Sequence, residues 1–239
     1  MKMNLFSSPD EETLFCFSPP VMLFTFIVEF SFAIYILLSS KLKQSSLLII
    51  SILVCLGVFQ LAEYQVCSDR SLIWMRVGYI AITLLPPLGV HLISLVTNKV
   101  WYRYISYSLA ALFVAAFIIS TQTINSAICG GNYIMVVTSG NFISYFFPYY
   151  YYLLLAIGLL NISEYMNSQR DVSVRDHAKN RYLFWIAFGY ASFIVPTATV
   201  YFLSESARSG IPSIMCGFAI FLAIILTLKV YPLGKKIGI

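Results

Sequence analysis

SLIWMRVGYIAITLLPPLGVHLISLVT, residues 71–97, decides how the rest of the chain is read. It holds no acid, and Arg76 and His91 are its only basic side chains. A bilayer's hydrocarbon core is about 30 Å thick and takes about 20 apolar residues per helical crossing, a length this run meets. Comparable runs lie at residues 20–38, 45–66, 102–120, 141–164, 181–203 and 210–230. None alternates polar and apolar positions as a membrane strand does, so each reads as a helix. Of the chain's 239 residues 59% are hydrophobic and 10% charged, with a mean hydropathy of +0.83. A soluble domain carries about 25% charged residues, so water is not this chain's main solvent. The expected fold class is all-α: a polytopic bundle of seven transmembrane helices over residues 20–230, between an N-terminal tail (1–19) and a short C-terminal tail (231–239).

Direction follows from the bias of Lys and Arg toward cytoplasmic loops. With the N-terminus outside, Lys41, Lys43, Lys99, Arg103, Arg170, Arg175, Lys179, Arg181, Lys229, Lys235 and Lys236 lie inside, against Lys2, Arg70 and Arg208 outside. The 1–19 tail is then extracellular and the 231–239 tail cytoplasmic. Asp10, Glu11 and Glu12 precede the first apolar run where a signal peptide would carry positive charge, which reads as a mature extracellular segment.

Ionisable groups inside a span are costly, so each marks a candidate site; here they are Glu29, Glu63, Arg76 and His91. Glu63 ends span two and Arg76 begins span three at similar depth, as an ion pair joining two helices or as a ligand contact. Arg76, Tyr79, Thr83, Pro87, His91 and Ser94 share one face of span three at about 100° per residue. Thr25 and Glu29 share a face of span one, Gln60 and Glu63 of span two, Tyr145, Tyr149, Tyr152 and Ala156 of span five, and Trp185, Gly189, Ser192, Pro196 and Thr199 of span six. Two readings stand: an outward-opening polar and aromatic cavity with Glu29, Glu63, Arg76, Tyr79, Thr83, His91, Tyr149, Tyr152 and Trp185 as ligand contacts, or ordinary packing of small and hydroxyl residues. Glu29 and His91 sit at different depths, which speaks against a proton path between them. Pro86, Pro87, Pro148 and Pro196 each remove a helix hydrogen bond and are expected to kink their spans.

Cys16, Cys67 and Cys129 fall on the outer side, where a disulfide can persist, and Cys55 and Cys216 within spans. Cys67 with Cys129 would tether the outer loop TQTINSAICGGNYIMVVTSG (121–140), while pairings through Cys16 are equally allowed by sequence. That loop reads as a hairpin lid or as an irregular connector. The inner loop NSQRDVSVRDHAKN (167–180) reads as a partner-docking segment or as a solvated linker. CxxC, HExxH, a phosphate-binding loop and a membrane Asp pair are missing, and no lysine sits mid-span in span seven to carry retinal. A non-enzyme without metal or cofactor is expected, with the lipid bilayer as its first partner and no nucleic acid.

Four segments, LAEYQVC (61–67), WMRVGYIAITLLPPLGVHLISLVTNK (74–99), KNRYLFWIAFGYASFIVP (179–196) and GIPSIMCGFAIFLAIILTLKVYP (210–232), carry a resemblance in order and spacing. Through them the chain resembles the seven-helix N-terminal sensor region of some bacterial histidine kinases. The resemblance places Glu63, Arg76, Tyr79, Pro86, Pro87, Asn180 and Arg181 at recurring positions, and it implies a plasma-membrane sensor coupled to a cytoplasmic transmitter. The chain departs from that pattern after VYPLGKKIGI (230–239), where no phospho-acceptor helix or ATP-binding domain follows. The expectation is a stand-alone sensory protein that binds a small or lipidic ligand and signals through a separate protein. The rivals are a small-solute carrier or channel and a structural subunit of a membrane complex.

Overall fold

The computed structural model describes residues 19–39, 42–69, 71–119, 124–129, 134–138, 142–169, 176–203 and 211–239. Its elements run α1 (Pro19–Ser39), α2 (Gln44–Asp69), α3 (Leu72–Thr97), α4 (Val100–Ile119), β1 (Ile124–Cys129), β2 (Ile134–Thr138), α5 (Phe142–Ser168), α6 (His177–Leu203) and α7 (Ile211–Ile225). A π-helical turn, Leu226–Val230, joins α7 to α8 (Tyr231–Ile237). Among the described residues, seven helices are long and apolar enough to cross a membrane, as the apolar runs require. Several extend past those runs, α2 to Asp69 and α5 to Ser168, because a helix continues into polar flanks once its backbone ladder is formed. Residues 1–18 of the N-terminal tail and 170–175 of the 167–180 loop lie outside the described residues.

α3 is the axis of the bundle. It touches α2, α4, α5, α6 and β1, and 72% of its most apolar stretch is buried, against 17% for α4 at the periphery. Small residues set the closest approaches, as expected where lipid supplies no hydrophobic contrast and packing must hold helices together. Ala62 and Phe59 of α2 meet α3 at Gly78. Tyr190 of α6 lies so close to Gly89 of α3 that a methyl group there would overlap the Tyr190 hydroxyl.

Residues 231–237, expected within a tail, are helical instead. Tyr231 and Gly234 are buried, Gly234 lies against Ser45 of α2 and Tyr182 of α6, and the Ser45 hydroxyl donates to the Ile239 carbonyl at 2.6 Å. Pro232 stands at the start of α8 and follows the π-helical turn without a break in helical backbone. α6 is opened by Asp176, whose carboxylate accepts from the Ala178 and Lys179 backbone N–H groups at 3.2 Å. Those bonds, the one from Lys179 foremost, hold its carboxyl below the usual carboxylate range.

The 121–140 loop contains a hairpin: β1 and β2 pair antiparallel, Ala127 opposite Val136 and Cys129 opposite Ile134. A Cys67–Cys129 disulfide ties it to the end of α2, which selects one of the three pairings left open by sequence. Ile124 of β1 is buried in the core. The hairpin therefore shares an end of the bundle with the start of α1. The opposite end carries the α1–α2 and α3–α4 connections and α8.

Candidate functional site

Pro87 has no N–H to give the Thr83 carbonyl four residues back, so α3 holds a broken backbone bond in its most buried stretch. Tyr150 of α5 repairs it. Its hydroxyl donates to the Thr83 carbonyl oxygen at 2.6 Å, and the residue is buried. The Thr83 hydroxyl turns back onto its own helix, donating to the Tyr79 carbonyl at 2.6 Å, so its proton is committed within α3. Around this repair lies a cluster of rings from three helices. Tyr79 sits 5.3 Å from Phe117 and 5.6 Å from Phe147 between ring centroids, and Phe113 sits 4.6 Å from Tyr150. Tyr79 is thus a packing residue of the α3–α4–α5 junction.

Below the repair is a central apolar cavity with an interior of about 30 Å³, walled by Leu85, Pro86 and Gly89 of α3, Tyr151 and Leu155 of α5, Tyr190 of α6 and Leu222 of α7. None of the candidate ligand residues lines it. Among the described residues, helix packing disperses them to separate places.

Glu63 is buried and Arg76 half-buried at the hairpin end, where the Ala62–Gly78 contact sets them at similar height along the α2–α3 seam. Neither is without a partner. Glu29 is 0% exposed in α1, and neither carboxylate oxygen has a hydrogen-bond partner among the described residues. Its neighbour one turn away, Thr25, donates to the Val21 and Met22 carbonyls and so leaves Glu29 unaided.

His91 lies toward the opposite end of α3. One ring nitrogen is 3.1 Å from the Tyr107 hydroxyl, and the other is 3.2 Å from the Gln44 amide nitrogen and 3.4 Å from an Arg103 guanidinium nitrogen. Trp185 is at that end too, packed on Phe184 and Phe188 with the Lys229 ammonium 5.4 Å from its ring centre. Tyr149 and Tyr152 are corrected most sharply: they face away from the bundle axis, 62% and 39% exposed. Phe147, Tyr150, Tyr151 and Leu154 take the inward side of α5. Tyr149 instead borders an apolar lateral groove of about 380 Å³ between α4 and α5, with Leu112 and Phe146.

Sequence reasoning missed Tyr150. The available signal was the donor lost at Pro87, which leaves the Thr83 carbonyl in need of a partner at that depth.

The class these features define is an integral, multi-pass helical membrane protein. Comparison with known protein families, curated proteins and solved structures gives no match.

Proposed function

We propose that the chain is a non-enzymatic sensory or regulatory protein of a bacterial plasma membrane that binds a lipidic ligand among its helices and signals through a separate cytoplasmic or membrane partner. The observation that carries this reading is the central cavity at Pro86 and Gly89, where the helix with the broken ladder meets four others. Its apolar walls suit hydrocarbon and repel ions. An interior of about 30 Å³ admits little more than one water, so a ligand must open the bundle to enter. Its preference for the open arrangement would set the size of the response. The resemblance of the four quoted segments to histidine kinase sensor regions supports the same reading.

The proposed orientation puts the hairpin outside. The charge bias of the loops supports it, and so does the Cys67–Cys129 disulfide, since such bonds persist in oxidising compartments. Glu63 and Arg76 would then clamp α2 to α3 near the outer surface.

The test is photolabelling in nanodiscs with a diazirine fatty acid. Labelling of Leu85, Leu92 and Leu222, lost when Ala219→Phe fills the cavity, is the expected result. Labelling restricted to outward-facing residues such as Phe188 and Phe202 would remove the cavity from the account. Solute flux into liposomes abolished by Ala219→Phe would replace the sensor with a carrier.

A further inference from the structure

A second cavity, of about 490 Å³, opens at the end of the bundle opposite the hairpin. Lys43, Gln44, Ser94, Asn98 and Arg103 supply its polar side chains, none of them a carboxylate, and the main chain of Gly238 and Ile239 at the end of α8 completes the wall. We propose that this cavity binds a phosphate oxyanion, delivered as the headgroup of an anionic phospholipid in the adjacent leaflet. The inference rests on the chain's membrane character and is independent of the central cavity.

Charge is the first argument. Among the described residues, the ion pairs are Lys99 with Glu164 and Lys179 with Asp176. Lys99, on the α3–α4 connection, is thus already matched by a carboxylate of α5. Lys43 and Arg103, both half-buried at the cavity, have no carboxylate in ion-pair reach among those residues. Two partly desolvated cations facing one polar space attract an anion far more strongly than the same charges in open water.

Geometry is the second. Arg103 is held from two sides, by the His91 ring nitrogen at 3.4 Å and by the Tyr104 ring 5.2 Å from its guanidinium carbon. That leaves further N–H donors in a fixed fork, the arrangement that takes two phosphate oxygens at once. His91 also holds Gln44, and Tyr107 fixes the ring's other side. His91 thereby acts as a positioning residue, which accounts for a polar group that the central cavity does not use. Gln44 and Val100 begin α2 and α4, and their amino ends face the carboxy ends of α3 (Ser94, Asn98) and α8 (Gly238, Ile239) across the same space, so the helix dipoles offset one another and the side-chain cations carry the attraction.

Position is the third, and it favours a lipid over soluble phosphate. Val100, Trp101 and Tyr104 stand exposed on the first turns of α4 beside the cavity mouth. Trp and Tyr concentrate at the headgroup level of membranes, and the apolar flank of α4 offers a path for an acyl chain.

The experiment is lipid retention by native mass spectrometry. Wild-type protein is exchanged into nanodiscs of equal phosphatidylglycerol and phosphatidylcholine, with thermal midpoints recorded in phosphatidylcholine alone to check folding. Wild type should retain phosphatidylglycerol over phosphatidylcholine. Lys43→Gln with Arg103→Gln should lower that retention about tenfold. Lys235→Gln with Lys236→Gln, which removes equal charge from exposed positions of α8, should leave it within about twofold. Equal retention of the two lipids by wild type, or equal losses in the two double variants, overturns the proposal. The wild-type comparison decides the matter alone if the Lys43 and Arg103 variant does not fold. Millimolar inorganic phosphate in phosphatidylcholine discs that raises the midpoint as much as phosphatidylglycerol does would assign the site to soluble phosphate and overturn the lipid assignment.

Discussion

Replacing Tyr150 with Phe keeps the ring that packs on Phe113 and removes only the hydroxyl that caps the Thr83 carbonyl at 2.6 Å. In most helices such a loss is minor, because the carbonyl keeps its bond from four residues onward. Measured side-chain hydrogen bonds between membrane helices average about 0.6 kcal/mol. Here the residue four onward is Pro87, so the carbonyl would lose its donor in the most buried helix of the bundle. An unsatisfied buried polar group costs about 1–3 kcal/mol. Tyr150→Phe is therefore expected to destabilise the bundle by about 1–3 kcal/mol. In a Pro87→Ala background, where the backbone donor returns, the same change should cost about 0.6 kcal/mol or less. The double-mutant cycle would thus show a coupling of about 1–2 kcal/mol. Reversible unfolding in mixed micelles measures all four corners. If Tyr150→Phe costs the same with and without Pro87, the hydroxyl is not repairing the proline defect and the reasoning fails.

Three further outcomes follow from the packing. Glu29→Leu removes a buried carboxyl that has no hydrogen-bond partner among the described residues, so its thermal midpoint should rise; a fall would mean that Glu29 is held by groups not identified above. Gly89→Ala should cost about 1–3 kcal/mol by overpacking against Tyr190, and Tyr190→Phe in the same chain should recover part of that loss, whereas an Ala variant of wild-type stability would contradict the close approach. Cys67 and Cys129 close a loop with a sequence separation of 62, so replacing both with Ser should cost about 2–4 kcal/mol, measured against wild type with and without reductant. Unchanged stability on reduction of wild type would show that the tether adds nothing beyond the β1 contacts.

The bundle was legible because burial in lipid needs long unbroken apolar runs, and residues 71–97 declare one by length alone. The face of a helix that looks inward was not. In water, polarity marks the outside of a helix, whereas a membrane span is apolar toward both lipid and protein. Span five shows the difficulty: Tyr149 to Tyr152 present tyrosine in every direction, so periodicity had no contrast with which to choose Tyr150 and Tyr151 over Tyr149 and Tyr152. Span three misled in another way. It is buried nearly all round, so Tyr79, Thr83 and His91 on one stripe reach an aromatic junction, their own backbone and a cluster at the far end. Charge was the better guide. Glu63 and Arg76 were placed at like depth by their positions beside a short connection, and the α2–α3 register agrees.

The π-helical turn at Leu226–Val230 acts as a phase shifter. Accommodating one extra residue in a helical ladder rotates everything beyond it by about 100°. In the present phase Tyr231 and Gly234 face the bundle while Lys235 and Lys236 are exposed. Deleting a single residue from this turn would leave α7 where it is and swing α8 through that angle, taking Gly234 off Ser45 and Tyr182 and bringing a lysine toward the bundle in its place. The spacing between α7 and α8 is therefore a rotational coordinate, and the identity of the residues in α8 matters only at the phase this turn sets.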